Sequence, residues 1–196
     1  MKRFRCMLSA ALVLVLVFCL SGCGSTQSTA LTGEWKGTVD ISAHLTQIPG
    51  LQKPPEDITF DLIFVFGDDG SFEAIIDQYS VKLMVDKLLD IVAAALSDTA
   101  QQKGMTEQEL RTVLESAVNT DDIVASVQSS LQNGYYLYTD GVIYLSSQPD
   151  PTAETAQEHL IVSVSGDTMT VAQIVTDSFQ HEQMLTGVLP LTLYKQ

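Results

Sequence analysis

Cysteine is scarce, and badly placed for structural use. Cys6, Cys19 and Cys23 are the only three in 196 residues, so the chain beyond residue 23 can build neither a disulfide framework nor a thiolate metal site. Cations are few as well: ten Lys and Arg stand against 24 Asp and Glu, for a formal net charge of −14. Arg111 is the sole arginine after Arg5. Nucleic-acid binding needs clustered cations that displace counterions, and phosphate recognition favours forked guanidinium groups, so the composition argues against both.

Catalytic signatures are missing too. There is no Gly-x-Ser-x-Gly elbow and no Ser-x-x-Lys to place a base or a strained turn beside a hydroxyl. His44, His159 and His181 are the only histidines, and the first two are expected on solvated strand faces. His181-Glu182-Gln183-Met184-Leu185 begins like a zinc-protease motif but has Leu where the second ligand must sit, which removes the motif. The acid pairs Asp68-Asp69 and Asp121-Asp122 are explained by a hairpin loop and a helix's first turn. No calcium-binding Asp-x-Asp-x-Asp-Gly loop occurs. The expectation is a protein without cofactor or metal that is not an enzyme, an envelope hydrolase being the least supported alternative.

What the chain does have begins at its first residue. Met1-Lys2-Arg3-Phe4-Arg5 is a short cationic head, and Met7 to Leu20 is an apolar run too short for a typical membrane span of about 20 residues. This is the build of a secretory signal peptide. It ends in Leu20-Ser21-Gly22-Cys23, which resembles the lipobox of bacterial lipoproteins at every position. The resemblance implies removal of residues 1–22, lipidation of Cys23 by a thioether-linked diacylglyceryl group, and a lipid-anchored address on the extracytoplasmic face of the cell membrane. Cleavage takes Lys2, Arg3 and Arg5 and no acid, leaving seven basic against 24 acidic side chains, or −17 over 174 residues. Anionic headgroups would repel such a body within a Debye length of about 10 Å.

Residues 23–31 read as the lipidated cysteine and a polar tether, spanning roughly 16 Å r.m.s. as a flexible coil. Residues 32–196 read as one domain. Glu34 to Leu45 alternates with period two, predicting a half-buried strand with Trp35, Gly37, Val39, Ile41, Ala43 and Leu45 inward. Ile58 to Phe66 and Phe72 to Asp77 form a hairpin about Asp68-Asp69-Gly70, pairing Phe66 with Phe72, Phe64 with Ala74 and Leu62 with Ile76. Ile63, Val65 and Ile75 then face the other way.

The period next changes to that of helices. Val81 to Leu96 is apolar around much of its circumference. Thr106 to Glu109 fits a capping box, opening a helix with Leu110, Val113, Leu114, Ala117 and Val118 on one stripe. Asn119 or Thr120 caps a third, with Ile123, Val124, Val127 and Leu131 inward and Asn133-Gly134 as its stop. The outward Ile63, Val65 and Ile75 offer these helices an apolar surface. Strands return as Tyr135–Thr139 and Val142–Ser146 about Asp140-Gly141, and as His159–Ser165 and Thr168–Ile174 about Gly166-Asp167. A short irregular or helical piece, Ser178 to Leu185, precedes a last strand, Val188–Tyr194, which Pro190 would place at an edge or bulge.

The fold class is therefore α+β: an antiparallel meander of about eight strands forming a barrel or half-barrel, with about three helices inserted near residues 80–133, between the third and fourth strands. Gly33-Glu34-Trp35, opening the first long strand, is similar to the Gly-x-Trp signature of lipocalin-like proteins, whose tryptophan closes the barrel's base. That family usually carries its helix after the last strand, and this chain has no arginine near its end to cover the Trp. The resemblance implies a small apolar or amphipathic ligand held between the sheet's concave face and its helical cover. Trp35, Tyr135, Tyr136, Tyr138 and Tyr144 are the candidate ligand or partner residues, since tyrosine joins apolar area to a hydroxyl. Two expectations follow: a non-enzymatic binding module for such a ligand, or an envelope interaction protein with a solid core.

Overall fold

The computed structural model describes residues 31–46, 54, 56–131, 133–176 and 188–196. Its strands are β1 (Gly33–Asp40), β2 (Thr59–Phe66), β3 (Ser71–Ile76), β4 (Asn133–Thr139), β5 (Val142–Ser146), β6 (Glu158–Ser165), β7 (Thr168–Thr176) and β8 (Leu191–Lys195). Each pairs antiparallel with the next, and β8 returns to β1 through Trp35 opposite Lys195 and Gly37 opposite Leu193, closing the barrel. A single helical turn, α1 (Ser42–Leu45), follows β1, and α2 (Gln78–Gln102), α3 (Glu107–Ala117) and α4 (Thr120–Ser130) stand between β3 and β4. Residues 1–22, read above as a signal peptide, Cys23 and Ser178–Leu185 lie outside the described residues.

Turn chemistry sets the registers. Phe66 pairs with Phe72, Phe64 with Ala74 and Leu62 with Ile76, with Gly70 in the left-handed region at φ 82°. Asp140 and Gly141 both have positive φ, 51° and 78°, as a two-residue turn that matches strand twist requires. Thr139 then faces Val142 across the loop. In the third hairpin Val164 pairs with Met169 and Val162 with Val171.

Non-local contacts override the sequence pattern in several places. The alternating run of β1 stops at Asp40, whose carboxylate accepts from Ser42 N at 2.8 Å and turns the chain into α1. Ser42 is buried, its hydroxyl accepting from Ile58 N, and Ala43 is exposed. His44 therefore sits in a helical turn, with a buried Nε2, instead of on a solvated strand face. Leu31, expected in the tether, belongs to the domain: it is fully buried and its carbonyl accepts from Trp35 Nε1 at 2.6 Å. Pro190 precedes a strand that is paired on both sides, so β8 is no edge.

The helices differ from expectation in extent and in footing. Asp77 caps α2 by accepting from Ser80 N, and the helix runs on to Gln102, past Leu96. The capping box of Thr106 and Glu109 is complete, and Asn119 caps α4. Leu110 is buried, but Val113 and Ala117 on the anticipated stripe are exposed. Ile63, Val65 and Ile75 are half-buried and take no part in the core the helices join. Val81, Met84, Val85, Leu89 and Val124 instead share one apolar cluster with the inward residues Val39, Leu62 and Ile76. Inward side chains at a barrel's open end present a stronger apolar surface than half-solvated outward ones, so the helices close that end.

Asn133-Gly134 does not stop a helix; it opens β4. Among the described residues, Ser71–Glu73 of β3 pair with β4, and the backbone of Ala74 and Ile76 on that side needs other partners. Two side-chain amides continue the ladder. Gln128 of α4 donates Nε2 to Ala74 O at 2.9 Å and accepts at Oε1 from Ile76 N at 3.1 Å, while Asn133 Oδ1 accepts from Ala74 N at 3.0 Å. Gly134 is required here, because a Cβ would collide with the Ser146 carbonyl.

Candidate functional site

The interior is where a lipocalin-like ligand would lie, and side chains occupy it. Trp35, Phe66, Tyr136, Ile143, Met169 and Leu193 are each at most 1% exposed. Phe72 stacks on Phe64 at 5.7 Å and lies 5.3 Å from Phe66, whose ring meets Tyr136 edge-on at 4.9 Å. Aromatic pairs at these spacings fill space with favourable geometry. Trp35 is held at both sides, by its bond to Leu31 and by the Lys195 ammonium 5.5 Å from its ring.

Period two separates the four candidate tyrosines. Tyr136, opposite Leu145, and Tyr138, opposite Ile143, share the inner face, where Tyr136 is fully buried and Tyr138 packs against the core. Tyr136 Oη donates to Gly67 O at 3.1 Å. Burial raises its pKa, against a hydrogen bond with Thr32 and with help from nearby Asp69 and Asp68. Tyr135 and Tyr144 belong to the alternate positions with Leu137, and Tyr144 meets His159 edge-on at 4.9 Å. No single surface carries all four.

The structure brings together residues that sequence reasoning passed over. A groove of about 520 Å³ runs along the seam of β1 and β8, where pairing is limited to three residues a side. Lys36, Thr38, Asp40 and Asp61 line it from β1 and β2, and Thr192 and Tyr194 from β8. Lys36 Nζ lies 2.9 Å from Asp61 and 4.0 Å from Asp77. Thr38 Oγ1 donates to Asp61 at 2.8 Å, and Ser80 Oγ accepts from Asp61 N. This network ties β1 and β2 to the start of α2. The only sequence signal for it was a set of polar residues on outward strand positions.

Electrostatics define what the groove can do. Its hydrogen bond and charge attraction to Asp61 raise the pKa of Lys36. Burial pushes Asp61 up, but bonds from Lys36 and Thr38 and the Lys36 charge outweigh it and leave its pKa lowered. A lysine held charged is neither nucleophile nor base, so this pair suits binding polar groups and bracing the fold. Elsewhere Arg111 Nε lies 2.8 Å from Asp90, with Asp86 and Glu115 near its other nitrogens. Asp121 of the second acid pair binds Lys82 at 3.0 Å, and Asp69 of the first accepts from Ser71 N. Among the described residues no group of His, Cys, Asp and Glu is placed to hold a metal ion, and no helix is long and apolar enough to cross a membrane.

Fold and groove define the class: a small closed up-and-down antiparallel barrel with a helical insert and an outer groove along the β1–β8 seam. No family model matches the chain, and comparisons with curated proteins and with solved structures find no significant match.

Proposed function

We propose that the chain is a lipid-anchored extracytoplasmic lipoprotein that acts without catalysis, through its outer surface, on a protein partner in the cell envelope. The observation that carries this reading is the packed interior: among the described residues one contiguous cluster runs from Leu31 to Leu193. That packing favours the solid-core expectation over a small apolar ligand bound inside. The lipobox at Cys23 supplies the anchor. A lipocalin-like origin of the barrel is supported by the Gly33-Glu34-Trp35 opening, by the burial of Trp35, and by Lys195 standing where that family places an arginine. The acidic excess suits a cationic partner.

Labelling cells with a fatty acid precursor should tag the wild-type protein and leave Cys23→Ser unlabelled. Native mass spectrometry of the lipidated protein in detergent should show its own mass alone, and crosslinking in intact cells should capture a partner that high salt releases. A stoichiometric small molecule retained by the protein would restore the ligand reading.

A further inference from the structure

In an up-and-down barrel every second connection lies at the same end. β1 leaves the end where the described chain enters, so the β2–β3, β4–β5 and β6–β7 hairpins and the C-terminal Gln196 share that end. The turns there are tight: Gly67 N donates to Ser71 O, Val162 N reaches Gly141 O, and Lys195 N reaches Asp167 O. The opposite end holds α1, the β5–β6 connection and the helical insert. Lys87 of α2 reaches Glu56 at 3.2 Å and the Asp57 carbonyl at 3.5 Å, which places the helix across the approach to β2. The three hairpin loops carry Asp68, Asp69, Asp140 and Asp167 and no lysine or arginine.

Chain length then decides orientation. Cys23 and the buried Leu31 are eight residue steps apart, which reach at most about 29 Å when fully extended. Turning the helical end to the bilayer would require the chain to run past the barrel wall and a helix layer. Eight strand residues at about 3.3 Å each, tilted by roughly 40°, give a wall of about 20 Å. A helix with its side chains adds about 10 Å. The sum exceeds the reach of the linker.

We infer that the protein stands on the membrane hairpin end down, with the helical insert turned outward as the surface its envelope partner meets. This rests on the anchor at Cys23 proposed above. The aspartates of the three loops hold the domain off an anionic surface instead of embedding it, since like charges repel within about a Debye length of 8–10 Å. The outward insert, residues 77–131, carries nine acids against four bases. Lys82, Lys87 and Arg111 are already paired with carboxylates, so its acidic surplus faces a cationic partner.

The test uses the full lipidated protein in phosphatidylcholine and phosphatidylglycerol vesicles that carry a headgroup-linked energy acceptor. Donors are placed at Asp68→Cys or Asp167→Cys on the hairpin end, and at Glu154→Cys or Ala125→Cys on the other, all four positions being exposed. The inference expects at least twofold more efficient transfer from the hairpin-end labels, and lower transfer from them as the anionic lipid fraction rises. Equal or reversed efficiencies in vesicle-bound protein would overturn it. Protein that does not float with vesicles would instead remove the anchor, and the orientation with it.

Discussion

The barrel and the far half of its helical insert contrast in how they are held. Each barrel strand is hydrogen-bonded to a neighbour on both sides, and the inward residues form one cluster that includes Trp35, Phe66, Tyr136 and Leu193. The last turns of α2 and the start of α3 rest on a second cluster of Ala93, Ala100 and Leu110, with Met105 and Leu114 against it. Two alanines and a leucine remove little apolar area from water, at roughly 25 cal/mol per Å². Exposed charges around Arg111 add little, since solvent screens them. Stability is therefore expected to be graded along the molecule, with the helical hairpin of α2 and α3 opening first. A helical hairpin at the barrel's end can tolerate such softness, whereas a closed barrel cannot lose one strand without exposing its interior.

Emptying the barrel's base tests the strong side of this contrast. Trp35→Ala should cost about 3–5 kcal/mol, read as a lower denaturation midpoint, and hydrogen exchange should accelerate in barrel and helices together. Exchange confined to β1 would show that the barrel is less cooperative than its closure implies. Breaking the splice comes next. Gln128→Ala leaves Ala74 O and Ile76 N without partners and should cost about 1–3 kcal/mol, with the Ile76 amide losing protection before those of β6 and β7.

The weak side responds on a smaller scale. Thr106→Ala removes one half of the capping box and should cost about 1 kcal/mol of local stability, seen as faster exchange in α3 while barrel amides keep their rates. Equal acceleration in both regions would abolish the contrast. The smallest effect is acid dependence at the junction of the two. Asp61 has a folded pKa below its ordinary 3.8, so its contribution is present above the unfolded value and is lost as pH falls through the folded one. The stability gap between wild type and Asp61→Asn should be widest near neutrality and shrink below about pH 4, as followed by thermal midpoints across that range.

Much of the fold was legible because its signals are local. Asp68-Asp69-Gly70, Asp140-Gly141 and Gly166-Asp167 set three hairpins and their registers, and Thr106 with Glu109 marked a helix start to the residue. Errors arose where a distant partner competed with the local pattern. Asp40 and Ser42 broke the alternation of β1 because Ile58 supplied backbone bonds to that corner. Asn133-Gly134 resembles a helix stop, yet β3 required an amide and a close approach there. The tyrosines were legible as a group in sequence, while alternation along β4 and β5 separated them. The Lys36–Asp61 pair left almost no trace, since a diagonal cross-strand contact depends on which strands become neighbours.

Composition and short-range chemistry alone determined the acidic balance, the lack of covalent staples beyond residue 23, the alternation of strands and helices, and the turns between them. These depend on residues within a few positions of one another, where propensity and side-chain pattern act directly. Tertiary structure decided that the meander closes, that its inward side chains pack into one cluster, that Gln128 and Asn133 splice the helices into the sheet, and that all three aspartate-bearing hairpins share the end where the described chain enters. Each of those is a matter of which distant surfaces meet, and burial of the inward side chains, summed over the whole barrel, selects among them.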